Sequence, residues 1–125
     1  MEWLITALKN EEPITLFEDY FTSGIDVGAF SRALFDLMEK MPVGTINVAC
    51  REVYSKKVFI EALASRLEYP LRIAAIGKVA DFLEVPRAES AGLDVGKAES
   101  ILEYFLPTLV DVIEALVSGT RRENG

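Results

Sequence analysis

The sequence predicts an α+β fold, a small helix-rich domain with five or six helices and about three short strands. Apolar residues recur at helical spacing in several segments that proline or glycine separates. Short alternating or β-branched runs stand between those segments. Half of the 125 residues are apolar, which suffices for one packed core. We expect a single domain over residues 1–117 and a polar tail over 118–125.

The first third of the chain predicts two helices with a strand between them. An apolar stripe over residues 2–10 predicts an amphipathic helix that ends before Pro13. Ile14–Phe17 reads as a strand. A second stripe that starts at Val27 predicts a helix ending near Lys40, because proline and glycine follow it.

The middle of the chain predicts a strand, a helix and a second strand. Apolar and smaller side chains alternate over residues 45–50, which favours a strand with one apolar face. Ser55 is the expected N-cap of a helix that reaches to about residue 68. Its expected buried stripe is Val58, Phe59, Ala62, Leu63 and Leu67. Residues 71–76 form the next strand candidate. One or two helical turns should follow over residues 79–83, before Pro86.

Two further helices are expected toward the end of the chain. Asp94 can cap the first of them, which carries its apolar residues from Ala98 to Phe105. Pro107 fits the first turn of the last helix, which we expect to end near Val117.

The composition excludes several functions. A net charge of −7 argues against binding to nucleic acid or to an anionic membrane surface, since both need a basic face. No apolar run reaches the length of a membrane span, so we expect a cytoplasmic protein. With no histidine and one cysteine, the usual zinc sites, histidine-dependent nucleophile systems and an intrachain disulfide are excluded.

The sequence offers no cofactor-binding motif and no catalytic pair of a short-chain reductase. The Gly24–Gly28 segment lacks the third glycine of the dinucleotide fingerprint and the Gly-Lys-Ser/Thr of a P-loop. It therefore reads as a turn. A short-chain reductase also needs a lysine four residues after its tyrosine, where the lysine lowers the pKa of the phenol. The residues four positions after the four tyrosines are Gly24, Val58, Ile73 and Thr108.

Arg87 and Ser90 are the candidate substrate-binding residues. A guanidinium fork matches a pyrophosphate, and the small neighbours of Arg87 let a phosphate approach the backbone. By composition alone, an ordinary solvent-exposed loop arginine is the simpler interpretation of Arg87. Arg51, Lys56 and Lys57 form a basic cluster in the sequence, for which a solvated surface is the simpler interpretation.

Five segments, in order along the chain, resemble the C-terminal, substrate-binding portion of extended short-chain dehydrogenases of the dTDP-4-dehydrorhamnose reductase group. The resemblance covers nearly the whole chain, and no single segment is specific by itself. The segments are Leu8–Phe17, Val27–Leu37, Gly44–Cys50, Tyr54–Phe59 and Arg87–Lys97. The chain departs from the family pattern at Gly28-Ala29, where the family has Asp-Asp, and at Ala88, where it has proline. It also lacks the histidine that the family has in the segment corresponding to Gly44–Cys50.

The resemblance implies a sugar-nucleotide-binding domain that is catalytically incomplete alone, either a natural half of a split protein or a fragment. Complete members reduce a 4-keto sugar nucleotide with NADPH, so a dTDP-sugar is the implied ligand, and Arg87 is the residue expected at its pyrophosphate. The residues of this chain supply no site for NADPH.

The resemblance also implies a partner. In the family, the strand corresponding to Gly44–Cys50 lies on the edge of the Rossmann sheet, so its unpaired backbone should seek a strand from elsewhere. We expect a homo-oligomer or a Rossmann-bearing partner at this strand. Two alternatives stay open: a non-enzymatic interaction or regulatory subunit that kept the scaffold, and a small helical domain whose resemblance is accidental.

Overall fold

The computed structural model describes residues 2–78 and 90–124. Five helices and four short strands lie within these residues, and the predicted α+β class is confirmed. By its contacts the chain divides into two compact units. The first unit comprises Met1–Phe21 and Tyr54–Ala91, and the second comprises Thr22–Val53 and Gly92–Gly125.

The first unit is built on a pair of parallel strands. Helix α1 (Glu2–Lys9) precedes β1 (Ile14–Phe17), and helix α3 (Lys56–Leu67) precedes β4 (Ile73–Gly77). β1 and β4 pair in parallel, with Ile14 opposite Ile73, and α3 packs against β1. Two-residue strands, β2 (Phe21–Thr22) and β3 (Tyr54–Ser55), form a second sheet where the chain leaves and re-enters this unit. The predicted strands at residues 14–17 and 71–76 are thus both present, the second from Ile73.

Helix α3 begins as the sequence predicts and buries a face that is partly different. The Val58 N–H donates to the Ser55 hydroxyl at 3.2 Å, so Ser55 is the N-cap. Phe59 and Leu63 are buried as the apolar spacing predicts. Ile60 is buried as well, whereas Val58 is 46% exposed. The buried face of the helix thus includes Ile60 instead of Val58, because the packing of the helix decides which of its apolar residues are covered.

The second unit contains three helices around one apolar cluster. Helix α2 (Val27–Lys40) packs against helix α4 (Gly96–Leu102), and helix α5 (Leu109–Asn124) ends the chain. Buried residues from the helices and from the segments between them form the cluster. They are Ala33, Leu37, Ala49, Val95, Ala98, Leu102 and Leu106.

The predicted strand at Gly44–Cys50 is wrong for this chain. No residue of the segment is in a strand, although Ile46 and Val48 pack against the apolar cluster and Ala49 and Cys50 are buried. The alternation therefore marks the residues that face the core. A strand also needs a neighbouring strand to bond with, and within the described residues this segment has none.

The ends of the last two helices also differ from the prediction. Helix α4 ends at Leu102, so Phe105 is not part of it, and Glu103 adopts the left-handed conformation at its end. Helix α5 starts at Leu109 and continues to Asn124, so residues 118–124 are helical rather than a tail. Pro107 stands before the helix. The helical turns predicted over 79–83 lie outside the described residues.

Helix α2 has the predicted bounds but buries little of its apolar surface. Ala33 and Leu37 face the cluster, whereas the larger apolar residues of the helix are exposed to different degrees. Those exposed on the helix and just after it are Val27, Phe30, Leu34, Phe35, Met38, Met41 and Val43. The second unit therefore presents a sizeable apolar surface. None of the helices in the described part of the chain has the length and apolar character needed to cross a bilayer.

Candidate functional site

Of the two predicted substrate-binding residues, the structure places Ser90. Arg87 lies outside the described residues. Ser90 is exposed and forms an isolated parallel bridge with Phe21, next to which the Ala91 N–H donates to the Phe21 carbonyl at 2.9 Å. The backbone at Ser90 is thus fixed in the first unit by main-chain hydrogen bonds, while its side chain stands at the surface.

Residues 92–95, which lead to the start of α4, are fixed by several hydrogen bonds within the second unit. The Leu93 N–H donates to the hydroxyl of Ser23, a buried serine, at 3.0 Å. The Asp94 carboxylate accepts from the Gly96 N–H at 2.9 Å, and Val95 occupies the cap position of α4. Asp94 therefore supports the start of α4 by a turn two residues long, instead of capping it directly.

Lys97 donates hydrogen bonds to the backbone at the start of the Gly44–Cys50 segment, which was expected to be a strand. Its ammonium group donates to the carbonyls of Val43 at 3.1 Å and Thr45 at 3.2 Å, on either side of Gly44. Gly44 has φ of +92°, a conformation that favours glycine. From Ile46 to Ala49, no backbone N–H or carbonyl is hydrogen-bonded to another described residue. Within this stretch, Ile46 and Val48 pack against the apolar cluster and Ala49 is buried.

Two of the three basic residues that cluster in the sequence, Arg51 and Lys57, pair with carboxylates. Arg51 pairs with Glu99 at 3.3 Å and stacks on Phe105, with its guanidinium carbon 4.1 Å from the ring centroid. Lys57 pairs with Glu61 at 2.9 Å, and the hydrogen bond that its ammonium group donates to that carboxylate raises the pKa of Lys57. The charges of Arg51 and Lys57 are thus each engaged by a carboxylate within the same unit.

Sequence reasoning missed a cavity in the second unit. Its volume is about 390 Å³, and it lies between the first turns of α2, the loop before α5 and α5 itself. Its lining residues are Asp26, Gly28, Ala29, Arg32, Tyr104, Phe105, Leu106, Pro107, Asp111 and Ala115. These residues come from two stretches far apart in the sequence, so no local spacing could have indicated the cavity. The size falls in the range of small-molecule pockets.

Two aspartates in this cavity bond at helix starts, Asp26 as the N-cap of α2 and Asp111 from the first turn of α5 back to Thr108. The Asp26 carboxylate accepts from the Ala29 N–H at 2.9 Å and is the N-cap of α2. The Asp111 carboxylate accepts from both the N–H and the hydroxyl of Thr108 at 3.0 Å. These hydrogen bonds, chiefly the one from the Thr108 backbone, lower the pKa of Asp111. The Asp111 carboxylate is therefore ionised at neutral pH.

The wall formed by residues 104–107 is held in place by polar contacts. The Leu106 N–H donates to the Glu99 carboxylate at 2.8 Å, and the Arg51 N–H donates to the Pro107 carbonyl at 3.0 Å. The Tyr104 hydroxyl donates to Asp36 at 2.6 Å. Burial, followed by this hydrogen bond, raises the pKa of Tyr104. The tyrosine is therefore a neutral hydrogen-bond donor at neutral pH, not a poised acid.

The cysteine is not a candidate nucleophile. Cys50 is fully buried, and burial raises the pKa of its thiol. The reactive form of cysteine is the thiolate, which this environment disfavours. Within the residues that the structure describes, no group of three or more acidic or sulfur ligands could hold a metal ion.

Comparison with known proteins assigns the fold to a class of enzymes with solved structures. No protein-family model matches the sequence, and no curated protein matches it. Solved structures do match, among them dTDP-4-dehydrorhamnose reductases and a UDP-glucuronic acid 4-epimerase, and the chain has the fold of part of these enzymes. A UDP-glucuronic acid 4-epimerase from Bacillus cereus, solved with NAD, matches with a TM-score of 0.67 and 20% identity over 92% of this chain.

The stronger likenesses are to dTDP-4-dehydrorhamnose reductases. The Bacillus anthracis enzyme, solved with NADP, has a TM-score of 0.80 at 16% identity, over 91% of this chain. The Yersinia enterocolitica enzyme has a TM-score of 0.76 at 20% identity, over 94% of this chain. The resemblance predicted from five sequence segments is thus confirmed at the level of the fold. The chain spans 41% and 42% of the lengths of these two reductases and 35% of the epimerase.

Proposed function

We propose that this chain is the sugar-nucleotide-binding portion of a protein related to dTDP-4-dehydrorhamnose reductase. The observation that supports the proposal is the fold likeness, which extends over more than nine-tenths of this chain in both reductases. At these identities, fold likeness carries no residue assignments. The roles of Arg87 and Ser90 therefore rest on their chemistry: a guanidinium for the pyrophosphate, and a hydroxyl for a phosphate or sugar oxygen.

The residues described here do not fit a nicotinamide dinucleotide. Such a cofactor needs free N–H groups at a glycine-rich helix start, where its pyrophosphate binds. At the start of α2, the Asp26 carboxylate already occupies the Ala29 N–H. A phosphate there would meet that negative charge. We therefore assign no hydride transfer to this chain and propose that it is catalytically incomplete alone. NADPH chemistry would be the contribution of the other part of a complete protein.

Calorimetric titration with dTDP and a dTDP-sugar tests this function. We expect a saturable heat, and Arg87→Ala should weaken binding by about 10- to 100-fold, because a charge-assisted hydrogen bond contributes roughly 1.5–3 kcal/mol. Arg66→Ala is the matched control: it removes the same type of charge from the exposed side of α3. Retained binding in Arg87→Ala would refute the assignment of Arg87, and absence of heat with the unmodified chain would refute sugar-nucleotide binding.

The alternative is a non-enzymatic interaction or regulatory subunit that kept this scaffold. The exposed apolar residues of α2 favour it, because surfaces of this kind mark contacts with other proteins. This alternative predicts no heat with dTDP or dTDP-sugars.

We also propose that the chain works with a partner, either a second copy or a Rossmann-bearing subunit, which pairs with the Gly44–Cys50 segment. The unpaired backbone of residues 46–49 supports this proposal. An extended segment with free N–H and carbonyl groups can accept a strand from another chain.

A further inference from the structure

We propose that the exposed apolar face of α2 is the interface of a two-fold dimer with a second copy of this chain, in which the two α2 helices pack antiparallel. This α2 face consists of six exposed apolar residues of the helix and its C-cap. They are Val27, Phe30, Leu34, Phe35, Met38 and Met41. The inference rests neither on sugar-nucleotide binding nor on the Gly44–Cys50 segment.

The α2 face is one continuous side of the helix. Val27, Leu34 and Met38 lie at positions i, i+7 and i+11, which follow one another along a single line on a helix of 3.6 residues per turn. Helix α4 packs against α2, and the residues of α2 that are buried are Ala33 and Leu37. The exposed fractions of the six residues of the α2 face range from 40% to 82%. Packing within the second unit therefore leaves the larger apolar side of α2 uncovered.

The area of the α2 face is close to what a stable dimer needs. A fully exposed apolar residue of this size has roughly 150–200 Å² of accessible surface, so the exposed fractions correspond to roughly 550–750 Å² on one copy. Stable, specific interfaces bury about 600–1,000 Å² on each partner. Phenylalanine and methionine supply four of the six residues, and both types are enriched at the cores of interfaces. A second copy therefore offers enough apolar surface to cover the α2 face.

The charges beside the α2 face fit an antiparallel arrangement. Arg32 and Glu39 are both exposed, and they stand three residues before and four residues after Phe35, so all three share one side of the helix. A two-fold axis midway between the two charges brings Arg32 beside the partner's Glu39, and Glu39 beside the partner's Arg32. Parallel packing would instead place each charge level with its own kind, which is unfavourable. The charge pattern therefore favours the antiparallel dimer.

The same two-fold axis also matches the apolar residues and limits the assembly to two chains. It places Leu34 opposite the partner's Met38 and Phe30 opposite the partner's Met41. An interface of this type uses the same face of both copies, so the dimer leaves no α2 face for a third chain. The expected species therefore has twice the mass of the 13.9 kDa chain and no larger one forms through α2.

Sedimentation equilibrium of the whole chain over a range of concentrations tests the proposal. We expect a reversible monomer–dimer equilibrium, and Met38→Glu should raise the dimer Kd about tenfold or more, because it places a charge in the apolar interface. Val110→Glu is the matched control: Val110 is an exposed apolar residue of α5, and this variant should keep the Kd within about threefold. Circular dichroism checks that both variants fold. A monomer at about 1 mM, assembly beyond the dimer, or an unchanged Kd in Met38→Glu would overturn the proposal.

A charge exchange tests the antiparallel arrangement by itself. Arg32→Glu and Glu39→Arg should each raise the dimer Kd by about 3- to 10-fold at low salt, because each puts like charges together at two places in the dimer. The double variant Arg32→Glu with Glu39→Arg has the net charge of the original chain and should return the Kd to within about threefold of the original value. If the double variant associates as weakly as the single ones, the antiparallel arrangement is wrong. Titration with dTDP reports on sugar-nucleotide binding separately, so the two proposals fail independently.

Discussion

At the scale of single residues, Gly92 is a position where the packing leaves no room for a side chain. A Cβ atom added there would lie 2.5 Å and 2.7 Å from the two methyl carbons of Val53 and 3.2 Å from its Cβ atom. Val53 is β-branched, so its side chain has few rotamers with which to move away. Gly92 is therefore required by a close approach within the second unit.

We predict that Gly92→Ala lowers the free energy of unfolding by about 1–3 kcal/mol, because overpacking forces strained side chains or a backbone shift. Urea unfolding followed by circular dichroism measures this change. The double variant Val53→Ala with Gly92→Ala should recover most of the loss, since it removes the two methyl groups that clash. Gly119→Ala is the control, and it should be neutral or stabilising by up to about 1 kcal/mol. A Gly92→Ala variant as stable as the original chain would show that Val53 moves freely.

At the scale of elements, Glu99 joins helix α4 to the loop before α5. Its carboxylate accepts the Leu106 N–H at 2.8 Å and pairs with Arg51 at 3.3 Å, and its side chain is only 13% exposed. Leu106 is itself buried, so this N–H has no easy access to water. One carboxylate thus satisfies a buried backbone donor and a cation, which fixes the cavity wall.

We predict that Glu99→Ala lowers the free energy of unfolding by about 1–3 kcal/mol, the cost of leaving a buried N–H without its acceptor. Glu103→Ala is the matched control, because its pair with Lys40 at 3.7 Å is at the surface and its side chain is 79% exposed. Exposed pairs of this kind contribute about 0–1 kcal/mol. Urea unfolding of the two variants should separate them clearly. Equal losses would mean that the Leu106 contact carries no stability.

At the scale of the whole molecule, the apolar surface of α2 and the unpaired backbone of residues 46–49 both favour association with a second chain. In the absence of another partner, we predict that light scattering at high concentration detects a species larger than the 13.9 kDa monomer. Val48→Pro should shift it toward the monomer, because proline removes an N–H that a partner strand would bond. Val43→Pro, just outside the Gly44–Cys50 segment, is the control. A monodisperse monomer in the original chain would contradict self-association.

The sequence by itself determined the features that depend on neighbouring residues. The Ser55 cap of α3, the strand at Ile14–Phe17 and the bounds of α2 follow from local spacing and capping chemistry. The caps at Asp26 and Asp111 were readable in the same way, since each carboxylate bonds within three residues, but the prediction did not use them. Even the likeness to reductases followed from the order of short segments.

Only the tertiary structure decided the features that join distant parts of the chain. The apolar spacing of α3 predicted a buried face that includes Val58, whereas packing leaves Val58 exposed and buries Ile60. The alternation at Gly44–Cys50 reflects contact with the apolar cluster, whereas a strand needs a hydrogen-bonded neighbour, which no local pattern supplies. The cavity exists because residues 26–32 and 104–115 meet in three dimensions. Local chemistry sets where elements begin and end, and long-range contacts set which surfaces they share.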